Sequence, residues 1–363
     1  MKILAIDVGT GTQDILLLDT NLRVENCVQM VMPSPTVIAS NRVRKATKDG
    51  NPIIFSGTNM GGGPVTGAVK QHLESGLKVY STPEAAVTFD DDIEVVKSIG
   101  ITIVSEEEAE GIMGNKIYLS DLDTLMIKRA LESFDVNPAW DILAVAVFDH
   151  GNAPSGYSDR KFRFDHLLEQ VTSGSKDVNS FTYLRDEIPD YLTRMIAVSN
   201  TALEEKNLLL MDTAEAAIIG SLEDNLLKSH HCKVVANIGN EHTLAFHLHA
   251  NEILGIFEHH THLLSKSKLE THLENLVNGK LDGNAIWEEQ GHGAIVLSGK
   301  EKIQFLSVIG PMRNLLQHSR LNPYFATPHG SMMLAGPFGL VKACGDRFPE
   351  FSQDIWGSLN KNF

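Results

Sequence analysis

Near the start of the chain, apolar positions fall in short unbroken blocks rather than helical stripes. Ile3-Leu-Ala-Ile6 and Ile15-Leu-Leu-Leu18 are separated by polar and glycine positions. Blocks of this length bounded by turn residues predict strands near 2–7 and 13–19, with a third at 24–30. The layout returns at 234–238, 243–249 and 252–257, with Gly239-Asn240-Glu241-His242 and Ala250-Asn251 as turns. Between the two copies, the pattern predicts strands at 52–56, 77–80, 101–104 and 116–119. It predicts helices at 65–74, in the acidic stretch up to 99, and from Asp121 or Asp123 to 134. Residues 141–148 are apolar after the first position, which predicts a strand buried on both faces. Two helices in 160–206, a strand at 208–211 and a helix at 212–222 complete the first half. A unit that opens each half predicts two α/β lobes with mixed sheets and a cleft between them. The expected division is 1–230, 231–345 and a C-terminal segment, 346–363, packing back on the first lobe.

Composition narrows the classes. At 363 residues, 42% hydrophobic and 21% charged, the chain has ordinary globular composition and length for about two domains. No apolar run reaches the roughly 18 residues needed to span a bilayer, and the N-terminus lacks a signal-peptide layout. The expected location is therefore the cytoplasm, without a membrane partner. Cys27, Cys232 and Cys344 are scattered, which argues against zinc ribbons, iron–sulfur ligation and disulfide frameworks. The net charge of −15 and the lack of a basic stripe argue against nucleic acid as a partner.

Asp7-Val-Gly-Thr-Gly-Thr12 joins the first two strands. Its glycines allow close backbone approach to an anion, and its N–H groups and the hydroxyls of Thr10 and Thr12 can donate to phosphate oxygens. Asp7 can face a phosphate only through a cation, so the turn reads as a phosphate hairpin with a magnesium-side carboxylate. An ordinary glycine-turn hairpin is the alternative. Gly61-Gly62-Gly63-Pro64 before the 65–74 helix is a second candidate anion or substrate loop, or a hinge.

Five motifs in order resemble the actin, sugar-kinase and heat-shock-chaperone ATPase superfamily, whose ribonuclease-H-like lobes close on ATP. Asp7 to Thr12 is similar to the first phosphate motif, and Asn237-Ile-Gly-Asn-Glu-His-Thr243 to the second. Asp212-Thr-Ala-Glu-Ala-Ala-Ile-Ile-Gly220 and Leu334-Ala-Gly-Pro-Phe-Gly-Leu-Val-Lys-Ala343 resemble the two connecting helices. Phe305-Leu-Ser-Val-Ile-Gly-Pro-Met-Arg313 resembles the adenosine motif. The resemblance extends to a prokaryotic family sometimes labelled as related to pyruvate formate-lyase activation. Three scattered cysteines cannot hold the cluster that a radical activase requires.

The resemblance implies ATP and Mg²⁺ as cofactors. It implies nucleotide contacts from Asp7, Gly9, Thr10, Gly11, Thr12, Gly239, Asn240, His242, Thr243, Gly310 and Arg313. Magnesium is expected at Asp7 and Asp212, directly or through water. Asp149, at the end of the 141–148 strand, is the candidate catalytic carboxylate; a turn-capping role is its alternative. Gly61, Gly62, Gly63, Asn152 and His260 are the expected contacts of a small-molecule substrate, with residues 57–64 and 152–163 as its surroundings. A protein partner or homo-oligomer is left open. Three departures weaken the pattern: Asn237 replaces an aspartate, Gly310-Pro311 replaces a double glycine, and Pro337 interrupts the last helix.

Most of the fifteen histidines lie between His230 and His272. If residues 250–251 form a two-residue turn, Thr243 faces Glu258 and Glu241 faces His260. His242, His259, His260 and His262 then group near the second turn as possible phosphate, substrate or metal contacts. His259 and His260 point to opposite strand faces and do not share an ion. His230, His231, His247, His249 and His272 are expected at the surface. The leading function is an ATP-dependent phosphotransferase or ATPase. A non-catalytic nucleotide-sensing regulator and a metal-dependent hydrolase are the alternatives.

Overall fold

A computed structural model describes residues 1–173, 176–299 and 302–360. The first sheet starts with β1 (Lys2–Val8), β2 (Thr12–Asp19) and β3 (Val28–Pro33), an antiparallel meander. A separate, all-parallel sheet follows, of β4 (Ile53–Gly57), β5 (Val79–Ser81), β6 (Ile101–Ile103) and β7 (Asn115–Leu119). The chain then returns through β8 (Ile142–Val147), β9 (Thr182–Leu184) and β10 (Leu208–Met211), giving the order β3-β2-β1-β8-β10-β9. All six residues of β8 are buried, because it lies between β1 and β10 and is covered on both faces.

The second lobe repeats the plan. β11 (Cys232–Ile238), β12 (His242–His249), β13 (Glu252–His260), β14 (Gly293–Val296), β15 (Leu306–Ile309) and β16 (Tyr324–Phe325) take the order β14-β13-β12-β11-β15-β16. In each lobe a meander's first strand pairs in parallel with the next core strand, β1 with β8 and β11 with β15. The four-stranded sheet between β3 and β8 has its own apolar core around Phe55, Val65 and Val79 and was not anticipated as a separate unit.

Two buried helices, Thr213–Ser221 and Ala335–Arg347, belong to a core that draws residues from both large sheets. They cross where neither has a side chain. A β-carbon on Gly220 would lie 1.7 Å from the Ala335 carbonyl, and one on Gly339 would lie 2.0 Å from that of Ala216. Pro337 does not interrupt the second helix, contrary to the sequence expectation. It sits in the first turn, where its missing N–H has no intrahelical acceptor to lose. The helix Ser352–Leu359 follows, and Arg347 donates to the Thr182 carbonyl at 2.8 Å, tying this end to β9. The last three residues of the expected C-terminal segment, 361–363, lie outside the described residues. Among the described residues no helix is long and apolar enough to cross a membrane.

Candidate functional site

The two opening hairpins match position by position. Gly9 N–H donates to the Thr12 carbonyl at 2.9 Å, and Gly239 N–H donates to that of His242 at 2.9 Å. In register, Asp7 pairs with Asp14 and Val8 with Gln13; Asn237 pairs with Leu244 and Ile238 with Thr243. The turns touch: a β-carbon on Gly11 would lie 3.1 Å from Asn240 Nδ2. The glycine loop reaches the same place, since a β-carbon on Gly63 would lie 3.2 Å from the Thr10 methyl. Gly61 N–H donates to Asp121, and the Arg194 guanidinium packs over Gly61. Thus Gly9, Thr10, Gly11, Thr12, Gly239, Asn240 and Gly61 to Gly63 converge.

Asp7 and Asp14 form a buried carboxylate pair that sequence reading only half saw. Both are under a tenth exposed. The Thr213 hydroxyl donates to Asp7, and a β-carbon on Gly336 would lie 2.0 Å from Asp7 Oδ2. Asp14 Oδ1 is buried without a hydrogen-bond partner. Among the described residues no cationic side chain forms an ion pair with either. Burial, then the neighbouring Asp14, push the Asp7 carboxyl well above the usual range; burial lifts Asp14 to about 7. Oxygen donors with an unpartnered atom fit a hard divalent cation such as Mg²⁺, which Asp7 and Asp14 would hold.

Asp212, the second expected magnesium carboxylate, is engaged by protein donors. It caps the connecting helix through Ala214 N–H (3.0 Å), accepts from Asp149 N–H (3.0 Å), and pairs with Arg163 Nη1 (2.8 Å) and Nη2 (3.3 Å). Backbone N–H groups and the Arg163 guanidinium thus reach both of its oxygens. Burial works against its charge, yet Arg163 and these donors hold its carboxyl below the ordinary value. Burial and then the Asp212 charge push the adjacent Glu215 carboxyl well upward. Arg163, only 2% exposed, also reaches Glu258 of β13 and the Asp149 carbonyl. It belongs to the core.

Asp149 ends β8 as expected and is buried. Its carboxylate accepts Gly151 N–H and Met195 N–H, each at 2.9 Å, the latter at the start of the helix Thr193–Thr201. Burial raises its pKa and these two N–H groups partly oppose that. The turn-capping role is therefore realised. Asn152 is exposed, with its N–H donating to the Tyr191 carbonyl. Gly310, at φ +95°, packs against Asn237 and Ile238, and Arg313 folds back to donate to the Gly310 carbonyl at 3.1 Å. A short 3₁₀ turn, Arg313–Leu316, follows β15 here.

The histidines regroup because of a bulge. The β12–β13 register shifts between His247 and Leu248, so Thr243 faces His259 rather than Glu258, and His242 faces His260. His242, His260 and His292 gather with ring centroids 4.8 to 5.0 Å apart. His259 lies instead beside His272, 6.2 Å away. His247 and His272 are buried, not at the surface as expected. Phe148 of the first lobe stacks on His242 at 4.3 Å, and Arg163 covers Phe148 at 4.1 Å. His292 carried no local signal: it lies 32 residues beyond His260, and only the β13–β14 pairing brings it back.

Two lobes of common strand order, each opened by a glycine-turn hairpin and joined by crossing helices, agree with the fold that the resemblance of the five motifs implies. The chain belongs to the family described as "Putative pyruvate format-lyase activating enzyme (DUF1786)", whose sequence pattern matches residues 60–315. No protein of curated function matches the sequence. Among solved structures, the chain is similar to the ethanolamine utilization protein EutJ from Carboxydothermus hydrogenoformans, at 10% identity and TM-score 0.33, covering 94% of this chain and 89% of that one. It is similar to the activator of 2-hydroxyisocaproyl-CoA dehydratase from Clostridium difficile with bound ADPNP, at 10% identity and TM-score 0.33, covering 100% and 99%. It is also similar to the ROK hexokinase from Thermus thermophilus, at 11% identity and TM-score 0.31, covering 95% and 100%. Likenesses this distant do not bear on activity.

Proposed function

We propose that the chain is an ATP-binding protein of the phosphotransferase or ATPase type, holding Mg²⁺-ATP between two lobes, residues 1–230 and 231–345. The observation that carries this reading is the contact of three glycine loops: Gly11 against Asn240, and Gly63 against Thr10. In it, N–H groups of residues 9–12 and 239–243 bind the phosphates, Asp7 and Asp14 hold the metal, and Gly310 and Arg313 flank the adenosine. Since the turns touch, a polyphosphate enters only when the lobes part. Residues 61–63 would then stand beside the terminal phosphate, where a small acceptor docks.

A nucleotide-sensing regulator is the second reading, favoured by the two N–H groups that occupy Asp149 and by Asn237 in place of a carboxylate. Turnover of Mg²⁺-ATP by the parent chain and by Asp149→Asn separates the two. The phosphotransferase reading expects measurable turnover, falling in the variant by the roughly 10²- to 10⁴-fold of a positioned acid–base group, with nucleotide binding retained. Saturable binding without turnover in the parent chain marks the regulator.

A further inference from the structure

We propose that His242, His260 and His292 form a three-imidazole site for a divalent late transition metal of the zinc class, with one coordination position left for water or a small anion. The site does not depend on nucleotide binding. Its ligand atoms all lie within 4.8 Å of one another. On a tetrahedral zinc with Zn–N near 2.0–2.1 Å the three nitrogens would stand about 3.3 Å apart, so each would move inward by about 1 Å at most. Ring rotation at the half-buried His260 supplies much of that.

The backbone sets up this trio. The bulge in β12–β13 aligns His242 with His260, and His292 N–H donates to the Glu258 carbonyl at 3.1 Å. His292 stands between two glycines where side chains do not fit: a β-carbon on Gly291 would come within 2.6 Å of Ile286, and one on Gly293 within 2.6 Å of Phe164. Its position is thereby fixed, and Phe148 fixes the ring plane of His242. His292 is 3% exposed, and its Nδ1 is buried with no hydrogen-bond partner. An orphaned buried acceptor or donor costs roughly 1–3 kcal/mol, and a metal bond removes that penalty.

The chemistry of the donors agrees. Burial, followed by neighbouring cationic groups and imidazoles, pushes the pKa of His242 and His292 far down; the same influences lower His260. The neutral imidazole is the form that binds a metal. Imidazole donors suit zinc, cobalt, nickel or iron rather than Mg²⁺. Among the described residues no cysteine or carboxylate joins the three. Three protein ligands with an open position is the pattern of a reactive rather than a structural zinc site.

The test uses the full chain stripped of metal by chelator and titrated with Co²⁺, then Zn²⁺, without nucleotide. The expected result is one equivalent of Co²⁺ with the visible absorption of a four-coordinate nitrogen site, displaced by Zn²⁺. His260→Ala, at a half-buried position, and His292→Gln should each weaken binding by more than the roughly 10- to 100-fold that loss of an outer partner costs. His249→Ala, on the exposed end of β12, should leave it unchanged. Failure to bind one equivalent, or unchanged affinity in a folded His260→Ala protein, overturns the proposal.

Discussion

Arg163 Nε lies 3.0 Å from both carboxylate oxygens of Glu258, and this pair joins a helix of the first lobe to β13 of the second. Both side chains are buried, and the same guanidinium holds Asp212. Removing one member of a buried charged set costs more than the set contributes, because the remaining charges stay desolvated. Arg163→Met is expected to destabilise the chain by about 3–5 kcal/mol. Glu258→Gln keeps an acceptor for Nε and leaves Asp212 as counter-charge, so about 1–3 kcal/mol is expected. Urea unfolding of the two variants checks the order; equal losses would contradict it.

Acid should weaken the first lobe through His166. Its ring bonds to the Tyr191 hydroxyl at 2.9 Å and the Tyr183 hydroxyl at 2.8 Å, one nitrogen donating and the other accepting. Burial lowers its pKa to about 4. The folded state therefore binds its proton less readily than the unfolded chain, whose histidine titrates near 6.5. Stability from this group is complete above about pH 6.5 and falls as pH drops through 4, by at most on the order of 3 kcal/mol. His166→Gln should flatten the stability profile between those limits; an unchanged slope would rule out this histidine as the source.

The crossing of the connecting helices is expected to tolerate no β-carbon. Gly220→Ala would drive a methyl into the Ala335 carbonyl, which belongs to backbone and cannot turn aside. A loss of at least the roughly 1–3 kcal/mol of overpacking is expected. Gly67→Ala, on the exposed face of the helix Gly63–Glu74 with nothing within 4 Å, should be neutral or stabilising by up to about 1 kcal/mol. Thermal melts of both proteins decide it.

Local patterns made the two meanders legible, since unbroken apolar runs and glycine turns need only neighbouring residues to be read. The same holds for the burial of β8. What escaped depends on distant pairing. The bulge between His247 and Leu248 shifts one histidine against another without any mark in the sequence. Arg163 lay in a polar helical stretch, where nothing announced that three carboxylates from remote elements would close on it. β5 and β6 are three residues each, too short for an alternation to show that they belong to a separate sheet. The helix Pro35–Asp49 buries only five side chains, so its apolar stripe is thin.

The site between the turns is tested most directly by calorimetric titration of Mg²⁺-ATP into the parent chain and into the double variant Thr10→Val, Thr12→Val. Both threonines sit in the first turn, and neither is among the buried residues, so the fold should persist. The expected result is saturable binding of one nucleotide by the parent. Loss of two hydroxyl donors to charged oxygens should weaken it by at least the tenfold of one charge-assisted bond, about 1.5–3 kcal/mol each. Equal affinity in the two proteins, or no binding by the parent, would contradict a phosphate site at Gly9–Thr12 and Gly239–Thr243.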